Sequence, residues 1–186
     1  MRRIVATEYL TLDGVMEEPG KWSSPFWNDE AAKFKHDELF ASDALLLGRV
    51  TYEGFAKAWP TMTGTGDFGE RMNGLPKYVV STTLETVEWN NSHLIKANVV
   101  EEVANLKQQP GMDILLSGSA QLMRTLMEHD LVDEYRIMVY PLILGSGKRL
   151  FADGIDTKAL RLVGTKTTST GIAILAYHPA RKDAAQ

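Results

Sequence analysis

The 186-residue chain contains no cysteine, which excludes a disulfide framework and any thiolate-bound metal. Its four histidines, at positions 36, 93, 129 and 178, lack metal-ligand spacing, and no metal is expected. No apolar run approaches the ~20 residues of a membrane-spanning helix. The apolar stretch in the N-terminal MRRIVATEYL is too short for a secretory leader. Charge of one sign is also missing: 20 basic against 24 acidic side chains give a net charge of −4, spread along the chain. This leaves no polycation for nucleic acid and no basic tail for a membrane. A cytoplasmic protein with small-molecule or protein partners is expected. Internal repeats, low-complexity tracts and linkers are lacking, as are the GxGxxG and Walker A spacings. With 44% hydrophobic residues there is material for one sizeable core, expected as a single domain over residues 1–180 with 181–186 as a disordered tail.

What is present is an alternation of apolar runs of strand length with segments of helical period, the α/β pattern. Strands are predicted over 3–10, 44–48, 78–81, 114–117, 134–141, 159–168 and 171–178. The segments ALLLG and DILLSG are continuously apolar, as strands covered on both faces must be, which makes them central and parallel. NVVEEVANLKQ sets Val99, Val103 and Leu106 at helical spacing, with Asn98 as N-cap and Glu101 three positions on. SAQLMRTLMEHD places Leu122, Met123, Leu126 and Met127 on one stripe. TTSTG joins the last two strands, so they read as an antiparallel hairpin and the sheet as mixed. The least regular stretches are 11–28 and 60–76; loops this long in a compact domain are functional or mobile.

The strand within LLLGRVTYEGF ends at Gly48, and helix-forming residues follow at once. Two readings stand. One is a tight turn with a surface arginine. The other is an anion cradle in which Gly48 admits close backbone approach, Arg49 supplies a forked cation and Thr51 offers a hydroxyl from the first helical turn. DILLSGSAQL repeats the strand-to-helix corner with Gly118, Ser119 and Ala120. KYVVSTT ends a third strand in Ser81 and Thr82, whose hydroxyls either meet ribose or phosphate oxygen or close a turn. Together these strand ends imply an extended, phosphate-bearing cofactor across the carboxyl edge of the sheet.

The ordered segments LTLDG, LLLGRVTYE, KYVVST, LLSGSAQLMRTL and LVDEYRIMVYPLILGSGKRLF resemble the dihydrofolate-reductase-like superfamily. Within it they look like the reductase domain at the C-terminus of the bifunctional riboflavin-biosynthesis deaminase/reductase and its stand-alone relatives. The resemblance runs from about Arg3 to His178. It implies a three-layer α/β fold around a mixed, mostly parallel sheet with helices on both faces and the C-terminal hairpin. It also implies NADPH as hydride donor and a homodimer. Carried over by position, it puts Gly48, Arg49 and Thr51 on the cofactor phosphates, with Arg49 selecting NADPH over NADH. Ser81 and Thr82 fall at the adenosine half, and Gly118, Ser119, Ala120, Gln121 and Leu122 beside the diphosphate and nicotinamide. Many relatives carry Gly-Gly where this chain has Gly118-Ser119, which removes the ground for expecting unusual peptide geometry there.

On the substrate side, TLDGVMEEP resembles the mobile loop after the first strand, which puts Asp13 and Gly14 at the mouth of the nicotinamide pocket. Asp13 reads equally well as a turn former. In FWNDEAAKFK, Glu30 and Phe34 lie four apart on one helix face, with Asn28 or Asp29 as N-cap. That is the spacing by which dihydrofolate reductases set an acid and an aromatic over a pterin. A carboxyl beside Trp27 and Phe34 has its ionised form disfavoured and can relay a proton. A glutamate in a first helical turn also simply meets the helix dipole. LGSGKRLF reads as a crossing loop or a substrate-phosphate site, and Trp22, Trp27 and Trp59 as pocket walls, core or a dimer interface. The function expected is an NADPH-dependent reductase passing a hydride to a small heterocyclic or ribosylaminopyrimidine substrate, with a proton from Glu30 or a bound water. Dihydrofolate reduction is the alternative; a dimeric nucleotide-binding protein without efficient turnover is the alternative of another class.

Overall fold

Leu45, Leu46 and Leu47 are each at most 1% exposed, because helices cover both faces of the strand that carries them. A computed structural model describes residues 1–151 and 153–180; the tail expected at 181–186 lies outside the described residues. In chain order the elements are β1 (Ile4–Thr11), α1 (Asp29–Phe40), β2 (Ser42–Gly48), α2 (Arg49–Ala58), α3 (Gly66–Gly74), β3 (Lys77–Val80) and β4 (Ser92–Ile95). There follow α4 (Val99–Gln108), β5 (Asp113–Leu116), α5 (Ala120–Glu128), β6 (Glu134–Tyr140), β7 (Leu160–Thr167) and β8 (Ala173–Pro179). They form one eight-stranded sheet in the order β4-β3-β2-β5-β1-β6-β8-β7. The six strands from β4 to β6 are parallel, and β8 and β7 add an antiparallel pair.

Strand alternation divides the apolar residues between two layers. Val5, Leu45, Leu47, Val79 and Leu115 pack against Leu39 of α1, Tyr52 of α2 and Met72 of α3. Ile4, Ala6, Leu46, Ile114 and Leu116 pack on the opposite face against Val103 and Leu106 of α4 and the stripe Leu122, Met123, Leu126 and Met127 of α5. The mixed sheet, its two helical layers and the C-terminal hairpin match the fold expected.

Three local expectations are corrected. Asn98 does not cap α4 with its side chain: it takes a left-handed φ of 51° and makes no cap hydrogen bond, so Glu101 meets only the helix dipole. The stretch 60–76, read as irregular, contains α3, whose Met72 is buried and whose Phe68 packs beside it. Strand β4 is not expected from the sequence, because Ser-His-Leu-Ile has no apolar run; it forms by pairing with β3 in register from Lys77↔Ser92 to Val80↔Ile95. Asn28 caps α1 by accepting from Ala31 N–H at 3.0 Å.

Candidate active site

The chain leaves β2 through α2 and α3 toward β3, and leaves the adjacent β5 through α5 toward β6 on the other side. Strands β2 and β5 therefore flank a topological switch point, where ligands of open α/β sheets bind beyond the carboxyl ends. The two glycine corners meet there. Gly48 N–H donates to Gly118 C=O at 2.9 Å. A Cβ on Gly48 would lie 2.5 Å from Ser119 Oγ and 2.8 Å from its backbone nitrogen; one on Gly118, whose φ is +58°, would lie 2.5 Å from Thr51 Oγ1. The absence of both side chains lets α2 and α5 present their first turns side by side. Ser119 caps α5 by accepting from Leu122 N–H at 3.4 Å. The Gly118-Ser119 peptide is cis, against the expectation that serine here brings ordinary geometry.

Not every residue at these corners is equally free. Arg49 is exposed at the start of α2, its Nη1 donating to Glu53 one turn on at 2.8 Å. Leu122 turns its side chain into the core, with Ala120 packed in the same layer, while Gln121 stays exposed. Ser81 and Thr82 follow β3 at the same sheet edge, since Val80 pairs with Gly48. The Ser81 hydroxyl already accepts from the backbone N–H groups of Thr83 and Leu84 and closes a turn, while Thr82 is exposed.

Beside the α5 corner lies a cavity of about 650 Å³ between Ala120, Gln121 and Arg124 of α5 and Gly147, Lys148 and Arg149 of the loop after β6. Arg124 lines it, and its Nε is buried without a hydrogen-bond partner among the described residues, a state that a buried N–H rarely keeps. The segment LGSGKRLF thus supplies two cations to a cavity wall as well as a crossing loop. Arg124 was not singled out from the sequence, where it reads as one more polar residue on an amphipathic helix.

Asp13 clasps the two loops that border this edge. Its carboxylate accepts from Thr11 Oγ1 at 2.5 Å, Gly145 N–H at 2.8 Å and Leu144 N–H at 3.2 Å. These donors, Thr11 first, hold its pKa down to about 2. Arg149 donates to the Asp13 carbonyl at 3.0 Å, Val15 bridges to Arg149, and Gly14 turns the chain with a φ of +82°. The turn-former reading of Asp13 is therefore realised, and its carboxylate also ties down the loop after β6.

Glu30 and Phe34 lie on α1, and Phe34 and Trp27 pack on the face of the sheet that carries Tyr9 of β1. Phe34 packs with Trp22, Tyr140, Ile172 and Ile174 above β6 and β8, and Trp27 is 42% exposed. Tyr9 of β1, the strand beside β5, belongs to the same cluster, and its ring lies 6.2 Å from that of Trp27. Glu30 accepts from Ser169 N–H at 2.6 Å and from Ser169 Oγ at 2.7 Å in the β7-β8 turn, with Asn28 as a third donor at 3.0 Å. The Ser169 donors hold its pKa below the usual carboxylate range. The expectation that its charged form is disfavoured is thus reversed: three donors outweigh a partial burial. Trp22 and Trp59 fill core layers.

Two buried polar groups near β1 carried no weight in the sequence reading. Lys35 and Glu38 of α1 pair beneath the sheet, each bonded to Thr7 Oγ1, with Arg136 of β6 4.0 Å from the second Glu38 oxygen. On the opposite face Glu8, 7% exposed, accepts from Gly118 N–H at 2.7 Å. Its signal in the sequence is a lone carboxylate at an even position of the strand among Ile4, Ala6 and Leu10, the positions that face α5.

The match to known proteins agrees with this architecture. The family model of the RibD C-terminal domain matches residues 2–174. The uncharacterized protein YyaP of Bacillus subtilis is 35% identical over 182 residues, 95% of each chain. Among solved structures, a putative riboflavin biosynthesis protein from Shewanella sp. PV-4 superposes with a TM-score of 0.77 at 20% identity, covering 96% of this chain and 99% of its own. Dihydrofolate reductase from Enterococcus faecalis, complexed with NADP(H), superposes with a TM-score of 0.66 at 16% identity over 96% of this chain and 97% of its own. On the extent of these matches, the chain belongs to the RibD C-terminal domain family and has a dihydrofolate-reductase-like fold.

Proposed function

We propose that the protein is an NADPH-dependent reductase that transfers a hydride to a polarised C=N or C=O of a small heterocyclic or ribosylaminopyrimidine-type substrate. The observation that carries the reading is the contact of Gly48 with Gly118, which sets the first turns of α2 and α5 together at the switch point. Paired helix N-termini suit a diphosphate, and Arg124, one turn into α5, has its Nε without an acceptor among the described residues. The family membership and the NADP(H) in the Enterococcus faecalis enzyme point the same way.

When bound, NADPH supplies the hydride; the residues of this chain bind and orient it. In this reading Gly48, Thr51, Gly118, Ser119, Ala120 and Gln121 line the diphosphate, Arg49 meets the extra phosphate, and Thr82 flanks the adenosine half. The Asp13 clasp holds the bordering loops together. Glu30 anchors the β7-β8 turn in its ionised form, so the proton comes from water or another acid. The same proposal includes a cytoplasmic homodimer. Every residue of β7 is exposed, and this sheet edge carries Leu160, Leu162 and Val163; a second copy would cover it, and the molar mass in solution tests this.

The cofactor is tested by titrating purified protein with NADPH and NADH while following nicotinamide fluorescence. Arg49→Ala is expected to weaken NADPH about tenfold more than NADH, the worth of one charge-assisted contact. Equal losses for both would remove Arg49 from phosphate selection, and no binding of either dinucleotide at millimolar concentration would withdraw the reductase reading.

A further inference from the structure

Glu8 is the one carboxylate bonded to the backbone of either glycine corner among the described residues. It projects from β1 between Ala6 and Leu10 on the face that packs α5, and apolar Ile137 is its neighbour in β6. Oε1 accepts from Gly118 N–H at 2.7 Å, and the Gly118 carbonyl accepts in turn from Gly48 N–H at 2.9 Å. One chain of hydrogen bonds thus links the strand, the α5 corner and the α2 corner. Oε2 has no protein partner among the described residues and is not sealed from solvent. A buried anion next to paired helix N-termini occupies the electrostatic well that would otherwise favour a phosphate.

We propose that Glu8 is a positioning residue for the cofactor corner and that it takes up a proton when the anionic dinucleotide binds. The inference rests on the cofactor reading above and deepens it. Either protonation state keeps the bond to Gly118, because a neutral carboxyl still offers a carbonyl oxygen. Only the ionised state repels a diphosphate. Protonation of Glu8 therefore leaves the corner in place and removes the opposing charge, and by linkage the bound anion raises the proton affinity of Glu8.

The surroundings put this titration in the neutral range. Burial raises the pKa to about 7, the Gly118 bond opposing it. The charged groups acting on Glu8 are Lys35 and Glu38, across the sheet on α1, and they oppose one another; among the described residues none from α5 or β6 contributes. A further rise of about one unit on binding corresponds to a tenfold difference in affinity between the two protonation states.

The test compares wild type with Glu8→Gln, a neutral isostere that keeps an acceptor for Gly118, by NADPH fluorescence titration from pH 6 to 8.5. Wild type is expected to equal the variant at pH 6 and to bind about tenfold more weakly at pH 8.5. The titration of the cofactor's own phosphate, near pH 6, is common to both proteins and cancels in their ratio. A constant ratio across this range, or weaker binding by a folded Glu8→Gln at every pH, overturns the proposal. Should the variant fail to fold, calorimetry of wild type at pH 8 in two buffers of different ionisation enthalpy decides. Uptake of about half a proton is expected from a shift of this size; zero uptake or release overturns it. If wild type binds no NADPH at any pH, the cofactor reading falls and this inference with it. Binding with a wild-type-to-variant ratio that does not change with pH removes the inference alone.

Discussion

Gly48→Ala is expected to weaken NADPH about a hundredfold, because a displaced corner forfeits hydrogen bonds to a charged phosphate worth about 1.5–3 kcal/mol each. The backbone of Gly48, at φ −75° and ψ 160°, suits any residue, so the effect comes from crowding alone. The added methyl would sit 2.5 Å from Ser119 Oγ, 2.8 Å from Ser119 N and 2.9 Å from Ser119 Cβ. The hydroxyl can rotate away, but the backbone nitrogen cannot. The Gly48 to Gly118 hydrogen bond must lengthen, and α2 and α5 separate. Overpacking of this kind costs about 1–3 kcal/mol in stability. Gly54→Ala, in the same helix, is the matched control. A methyl there meets nothing within 4 Å, and alanine in a helix interior should stabilise by about 0.5–1 kcal/mol. Thermal unfolding together with the NADPH titration separates the two. Unchanged cofactor affinity in Gly48→Ala would show that the glycine contact does not shape the binding corner.

The largest loss of stability is expected for Lys77→Ala, at about 3–5 kcal/mol by denaturant unfolding. Lys77 opens β3 and is fully buried. Its ammonium donates to the carbonyls of Leu75 at 2.8 Å, Asn73 at 2.9 Å and Asn90 at 3.0 Å, and stands 4.2 Å above the Trp89 ring. It therefore ties the end of α3 to the turn before β4, and alanine would leave three carbonyls unsatisfied around a cavity. Burial pulls its pKa down to about 8, while the three acceptors favour the ammonium. A folded pKa below the unfolded value of 10.5 means that the folded state gives up its proton first. The group's contribution therefore becomes more favourable as pH rises from about 8 toward 10.5. Lys77→Met, which fills the space without a charge, should lose that rise. A Lys77→Ala protein within about 1 kcal/mol of wild type would mean that water reaches the three carbonyls in its place.

The elements most legible in the sequence were those whose burial is local and uniform. ALLLG and DILLSG announced two-sided strands, and α5 announced its stripe, because helical and strand periods are properties of neighbouring residues. What escaped depends on distant partners. Strand β4 has no apolar run and exists through its ladder with β3. The glycines of Gly66–Gly74 hid a helix that Met72 and Phe68 dock onto the α1–α3 layer. Glu30 was assigned from spacing on its own helix, but its chemistry is set by Ser169, 139 positions away. Glu8 went unnoticed because its partner is the backbone N–H of Gly118, which any residue but proline also offers.

Residue order alone settled the α/β class and the two glycine corners, since side-chain period and turn chemistry are written in adjacent positions, and the order of its motifs carried the family resemblance. Folding settled which of these groups face one another: that Gly48 touches Gly118, that Asp13 joins two loops, that Glu30 is tied to a hairpin and that a carboxylate stands beneath the corner. The reason is physical. Charge, solvent exposure and close contact belong to pairs of groups, and pairs seventy or more residues apart acquire a distance only when the sheet closes.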